Sequence, residues 1–182
     1  MTELTTLTQQ FSVISNRASG NGYLESIMTK EYVAGFLFDD SLSRVLLIKK
    51  KRPEWQAGKL NGVGGKIEFG ENALQAMTRE FKEETGVTVG FWNPFAVLKG
   101  KNGTWDVNFF HAVSSQKMNG VRNTTDELLV VSEVRKVVLL STLPVCLPNV
   151  CWLVQMALND IQGLDSCTLF TVCELESRQC QR

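Results

Sequence analysis

The chain has 182 residues, 43% of them hydrophobic, enough to furnish a globular core; at this length folding buries roughly 70% of the unfolded surface, so neither a metal nor a disulfide is needed merely to hold the fold. Nineteen Lys and Arg balance nineteen Asp and Glu, and the pI is about 6.6. That balance removes the positive field needed for non-specific binding to a nucleic acid polymer, while small phosphorylated ligands need only a local set of donors.

In chain order, residues 1–30 are rich in Ser, Thr, Asn, Gln and Gly with weak periodicity, so an N-terminal arm or irregular extension is expected, followed by a single domain over 31–182. Met1 to Val13 has no basic leader and no continuous apolar run, which argues against a secretory signal and for a cytoplasmic protein. Tyr32 to Phe38 and Arg44 to Lys50 read as strands of a β-hairpin around Asp39-Asp40-Ser41. Residues 53–70, with Pro53, Gly58, Gly62, Gly64, Gly65 and Gly70, read as loop. Asn72 to Thr85 reads as a helix: Asn72 can cap it with Gln75 in the capping-box position, and Gly86 suits the left-handed position that ends it. Leu74, Met77 and Phe81 then share one side and should pack on a sheet. Further strands are expected at Val87 to Phe91, Phe95 to Leu98, Trp105 to Val113 and Val134 to Leu140, a second helix at Asn149 to Asp160, and a last strand at Cys167 to Cys173. This order predicts an α/β sandwich of mixed sheet and flanking helices.

Val137 to Asn159 has no charged residue, but Pro144, Pro148 and Asn149 interrupt it, so a strand, loop and helix are expected rather than a membrane span, and no membrane partner. Cys146, Cys151, Cys167, Cys173 and Cys180 are odd in number and fit no zinc spacing, which predicts free thiols. His111, the sole histidine, lies in a strand pattern and reads as a packing residue.

Glu80, Glu83 and Glu84 stand at i, i+3 and i+4, so their carboxylates share a helix face and repel. A divalent cation would neutralise them, and hard oxygen ligands suit Mg²⁺, with Mn²⁺ as the alternative. Taken alone, the run also fits a solvated charged face. Its context decides: Gly65, five residues, Glu71, seven residues, then Arg79-Glu80-Phe81-Lys82-Glu83-Glu84-Thr85-Gly86-Val87. The segment resembles the Nudix box, G-x5-E-x7-R-E-U-x-E-E-x-G-U, with Phe81 where a smaller aliphatic residue is more usual.

The resemblance implies an α/β/α sandwich with a mixed β-sheet, the Nudix fold, and metal-dependent attack of water on a phosphorus of a nucleoside diphosphate derivative. Carried over, Glu80, Glu83 and Glu84 are metal ligands with the backbone carbonyl of Gly64, while Arg79 and Glu71, with Gly65 and Gly86, support the geometry. Which carboxylate accepts the proton from water is left open among the catalytic set, in which Glu83, Glu84, Glu127 and Arg79 are placed.

Upstream, Arg44 to Leu47, Lys50-Lys51-Arg52 and Ala57 to Lys66 are similar to the MutT-type branch acting on purine nucleoside triphosphates, including oxidised ones. This implies that Asn61 reads a purine edge; a turn-forming Asn before Gly62 is the alternative. Lys51 and Lys66 become phosphate-binding candidates, though Lys50, Lys51 and Arg52 also fit a solvated strand end. Downstream, Thr125-Asp126-Glu127-Leu128 is similar to the branch's acidic turn, which assigns Glu127 to the metals with Asp126 as its competitor. Asn149 falls where the branch presents acidic residues to the base, and it also suits a helix N-cap.

The expected function is therefore Mg²⁺-dependent conversion of a nucleoside triphosphate to the monophosphate and pyrophosphate. ADP-ribose or another nucleoside diphosphate derivative is the alternative substrate, although the Pro or Tyr such branches carry sixteen or seventeen residues past the box is replaced by Gly103 and Thr104. A non-catalytic nucleotide-binding module is the third reading, and it usually loses box carboxylates. The expected partner is a small nucleotide, and a homodimer stays open.

Overall fold

The computed structural model describes residues 29–100, 103–139, 145–164 and 170–173. Almost all of the expected arm, together with Cys167 and Cys180, lies outside the described residues.

The elements are β1 (Lys30–Phe38), β2 (Arg44–Lys49), a 3-10 turn (Glu54–Gln56), β3 (Leu60–Asn61), α1 (Ala73–Thr85), β4 (Asn93–Lys99), β5 (Trp105–Val113), α2 (Ser115–Asn119), β6 (Leu128–Glu133), α3 (Val134–Leu139), α4 (Val150–Ile161) and β7 (Phe170–Cys173). The strands form one sheet in the order β3-β2-β1-β5-β4-β7, and β6 also pairs with β2. β1 runs parallel to β5 and β4 parallel to β7; the other pairs are antiparallel, so the sheet is mixed.

β1 and β2 meet as a hairpin only at Leu37↔Leu46 and Phe38↔Val45. Asp39 closes their turn by accepting from the Ser43 and Arg44 N–H groups at 2.8 and 2.9 Å. Burial alone would raise the Asp39 pKa, but bonds from Arg44, Ser41 and Ser43 win and hold it well below the usual carboxylate range. Beyond the turn the strands separate, and a glycine-rich loop takes β2's place beside β1. The N–H groups of Val33 and Gly35 donate to the carbonyls of Gly65 and Val63 at 2.9 and 2.7 Å.

Side-chain alternation divides the core into two layers. On one face Phe36, Phe38, Val45, Leu47 and Phe109 pack with Val137, Leu153, Val154 and Ala157 from α3 and α4. On the other, Leu37, Leu46, Ile48 and Phe110 pack with Ala76, Met77 and Phe81 of α1 and with Trp92. Helices on both faces of a mixed sheet make the expected α/β/α sandwich. Among the described residues, no helix is long and apolar enough to cross a membrane.

Helix α1 has the expected ends. Asn72 Oδ1 accepts from the Gln75 N–H and Gln75 Oε1 accepts from the Asn72 N–H, both at 2.9 Å, and Gly86 takes the left-handed conformation at φ 72°. Asn72→Ala should lower stability by about 1 kcal/mol, read as an earlier urea midpoint; an unchanged midpoint would show that the capping box contributes nothing.

Several expected elements are corrected. Leu74 is 48% exposed, lining an open groove with Pro94, Val97 and Phe110; Ala76 joins the buried stripe instead. Val134 to Leu140 is not a strand: Val134–Leu139 is helical, with Val134 and Val137 buried at i, i+3 while Arg135 and Lys136 face Glu133 outside. Its place beside β2 belongs to β6, in register from Arg44↔Glu133 to Lys49↔Leu128. Val87 to Phe91 joins no ladder either. Val89 and Trp92 plug the core under α1, where Trp92 meets Phe81 edge-on at 5.0 Å between ring centroids.

Candidate functional site

Because the glycine-rich loop is bonded to β1 and α1 packs over the same face through Met77 and Phe81, the helix carboxylates meet the loop backbone. Glu84 Oε2 accepts a 3.0 Å bond from the Gly64 N–H. The Val63 and Gly65 carbonyls are committed to β1, so the alternation of an extended chain turns the Gly64 carbonyl away from β1. At Gly65 a Cβ would stand 2.5 Å from a Glu80 carboxylate oxygen, so glycine there lets Glu80 lie against the backbone.

Glu127 approaches from the opposite side, on the turn before β6. Its Oε1 accepts from the Lys51 N–H at 2.7 Å, and its Oε2 lies 2.5 Å from Lys50 Nζ. The same ammonium is 3.6 Å from Glu84 Oε1. Glu84 and Glu127 are each 11% exposed, Glu80 15%, and Glu83 57% at the rim. Asp126, the competitor for the inward position, is 60% exposed and pairs with the Lys51 ammonium at 3.4 Å. Thr124 Oγ1 donates to the Glu83 carbonyl, tying this turn to α1.

Arg79 organises the helix side. It holds Glu71 bidentately at 2.6 and 2.9 Å, Glu80 at 2.9 Å, Glu83 at 3.1 Å and the Lys66 carbonyl at 3.0 Å. The bond from Arg79 pulls the Glu71 pKa down to about 2, and in return Glu71 raises that of the guanidinium.

Burial pushes Glu84 up to about 7; Lys50 and the Gly64 N–H oppose this, while Glu127 and Glu80 add to it. Burial also raises Glu80, against the pull of Arg79. Glu71, Glu80, Glu83, Glu84 and Glu127 meet the cations Arg79 and Lys50, so carboxylates outnumber the cations paired with them, and hard oxygen donors in that condition suit a divalent cation. Among the described residues, no three His, Cys, Asp or Glu side chains already close into a coordination shell; the carboxylates are held instead by Lys50 and Arg79.

The remaining candidates lie around this cluster. Asn61, on β3, accepts from the Gly62 N–H at 2.8 Å and points its amide nitrogen at Gln56 Oε1 at 3.5 Å. Leu60 accepts from the Leu147 N–H, which brings the chain leading to Asn149 alongside β3. Asn149 stands at the N-cap position of α4, as expected, though its side chain makes no capping bond there. Lys51 and Lys66 are exposed. His111 is 3% exposed, lies against Phe95, and pairs with Asp160 of α4 at 2.6 Å on the face away from α1. Cys146 and Cys151 are free thiols.

Sequence reasoning left Lys50 as a solvated strand end or a phosphate contact, whereas its side chain is only 15% exposed and bridges two carboxylates. Strand parity carried the missing signal: Leu46 and Ile48 face α1, so residue 50 continues on that face. A shallow apolar groove of about 400 Å³, lined by Leu74, Pro94, Val97 and Phe110 among others, contains none of the carboxylates.

Comparison with known proteins gives a consistent result. The NUDIX domain model matches residues 28–141. The oxidized purine nucleoside triphosphate hydrolase of Danio rerio is 44% identical over 73 residues, which cover 38% of this chain and 46% of that protein. The 8-oxo-dGTP diphosphatase of Escherichia coli K12 is 32% identical over 72 residues, 40% and 56% of the two chains. The chain thus spans about half the length of the curated relatives it matches. A MutT structure from work on Aliivibrio salmonicida and Vibrio cholerae superposes with a TM-score of 0.54 at 21% identity, covering 71% of this chain and 96% of that one, a likeness of fold.

Proposed function

The chain belongs to the NUDIX domain family, and from that premise we propose that it is a Mg²⁺-dependent hydrolase converting a nucleoside triphosphate to the monophosphate and pyrophosphate, with oxidised purine nucleotides as the substrate class. One observation carries the reading. Glu80 and Glu84 of α1 and Glu127 of the opposing turn meet in a largely buried cluster, with Glu84 held near pKa 7 by burial and by its acidic neighbours.

Glu80, Glu83, Glu84 and Glu127 would hold the divalent cation together with the Gly64 carbonyl. When bound, the ion neutralises phosphate charge and lowers the pKa of its water. Arg79 and Glu71 fix where these carboxylates point, through the bidentate bond and the Lys66 carbonyl. A water oxygen adds to a phosphorus of the triphosphate, the bond to the bridging oxygen breaks, and the water's proton passes to a carboxylate of the set Glu83, Glu84 and Glu127. Lys51 and Lys66, exposed beside the cluster, would hold the phosphates. Asn61 and Asn149, on adjoining segments, would meet the base. The Danio rerio and Escherichia coli relatives are named for oxidised purine nucleotides, which supports that substrate class.

The test is a panel of canonical and oxidised nucleoside triphosphates, ADP-ribose and dinucleoside polyphosphates incubated with Mg²⁺, the products separated by chromatography. Monophosphate plus pyrophosphate from an oxidised purine triphosphate is expected; activity on ADP-ribose or dinucleotides alone would refute the triphosphate reading.

A pH dependence follows from Glu84. Its folded pKa of about 7 lies above the ordinary 4.5, so the folded state binds more protons between those values. This group therefore costs stability as pH rises from about 4.5 to about 7 and leaves the full cost in place above that window. A divalent cation offsets the cost. Thermal melts should show a larger gain from Mg²⁺ at pH 8 than at pH 6, and equal gains would exclude Glu84 as a ligand.

A further inference from the structure

Lys50 joins the two halves of the acidic cluster. Arg79 neutralises Glu71, Glu80 and Glu83, but between Glu84 and Glu127 the only ammonium among the described residues is that of Lys50, 3.6 Å from Glu84 and 2.5 Å from Glu127. Each of these carboxylates keeps its second oxygen on a backbone donor, Glu84 on the Gly64 N–H and Glu127 on the Lys51 N–H. The ammonium can leave without either carboxylate losing its anchor. A lysine suits such a role, since it is a point charge on a flexible four-carbon stem with no fixed fork to dismantle. At 15% exposure its pairing is also screened far less than a surface ion pair.

Resting on the divalent-cation reading above, we propose that Lys50 is an internal counter-cation. It holds Glu84 and Glu127 in the metal-free protein and competes with the incoming ion for them, so Lys50 sets the affinity of the site for metal. As the ion enters, the Lys50–Glu127 and Lys50–Glu84 contacts break, and the ammonium stays protonated and swings toward solvent or bound phosphate.

Mn²⁺ titration by calorimetry tests this on wild type, Lys50→Met and Lys50→Arg. Lys50→Met keeps the apolar stem and removes the competing charge, so Mn²⁺ should bind on the order of tenfold more tightly. The metal-free variant should melt below wild type and recover in saturating Mn²⁺, while Lys50→Arg should bind Mn²⁺ no more tightly than wild type. Should Lys50→Met not fold, the wild-type Lys50 ammonium resonance, followed by ¹⁵N NMR during a Mg²⁺ titration, gives the answer: its hydrogen-bonded signal should be lost as metal saturates. Equal or weaker Mn²⁺ binding by folded Lys50→Met, or an ammonium signal indifferent to Mg²⁺, overturns the role of Lys50 alone. A wild-type chain that binds no divalent cation overturns the metal reading and this role together.

Discussion

Glu84→Gln should reduce turnover on the order of 10²-fold or more, the usual cost of removing one preorganised charge-stabilising group from an active site, with little loss of stability in the metal-free chain. Glu84 accepts from the Gly64 N–H and faces both Lys50 and Glu127 from the buried end of the cluster. Glutamine keeps the shape and an acceptor for Gly64 while removing the charge that binds a cation. It also removes a carboxylate whose ionisation burial already opposes. Steady-state kinetics and a urea melt of the same preparation check both halves. Near-normal turnover in the folded variant would sink the metal assignment.

The second large effect falls on stability. A Cβ at Gly64 would lie 2.2 Å from the Val33 carbonyl oxygen and 2.9 Å from the Ala34 Cα, at a φ of 154° that L side chains rarely adopt. The neighbour is backbone, and it cannot yield without stretching the Val33–Gly65 and Gly35–Val63 bonds that seat the loop on β1. Gly64→Ala should therefore cost about 3 kcal/mol or more through overpacking and strain. Gly58→Ala is the control: φ is also positive, 79°, but nothing lies within 4 Å of the added Cβ. Urea midpoints separate the two, and equal losses would show that the close approach to β1 contributes nothing.

Much of the fold was legible because its signals are local. Asn72, Gln75 and Gly86 announce the ends of α1 by side-chain and backbone chemistry that acts within one turn. Trp105 to Val113 announces β5 by its run of strand-forming residues. What failed was decided by tertiary context. In Val134–Leu139 the β-branched residues suggest a strand, yet the spacing of Val134 and Val137 fits a helix packed on α4, and burial prevails over propensity. Strand β3 has two residues, held between β2 and the segment around Cys146, too short to leave a periodic trace.

The site divides along the same line. The carboxylates of α1 were visible because helix periodicity fixes their common face. The inward turn of Glu127 and the outward turn of Asp126 depend on Lys50 and the Lys51 N–H, which the β2 register brings across from another part of the chain. Asn61 was two-sided in the sequence, where neither its strand setting nor its neighbours could be read: its oxygen accepts from the adjacent Gly62 N–H while its amide nitrogen points at Gln56 Oε1.

The central claim is that this carboxylate cluster uses a divalent cation to cleave a nucleoside triphosphate, and its most direct test is pyrophosphate release by the EDTA-treated protein as Mg²⁺ is added back, with Glu84→Gln alongside. Release that is absent without Mg²⁺, rises with it in wild type and stays near background in Glu84→Gln is the predicted result. Release that is independent of Mg²⁺, or equal in the two proteins, would contradict the account.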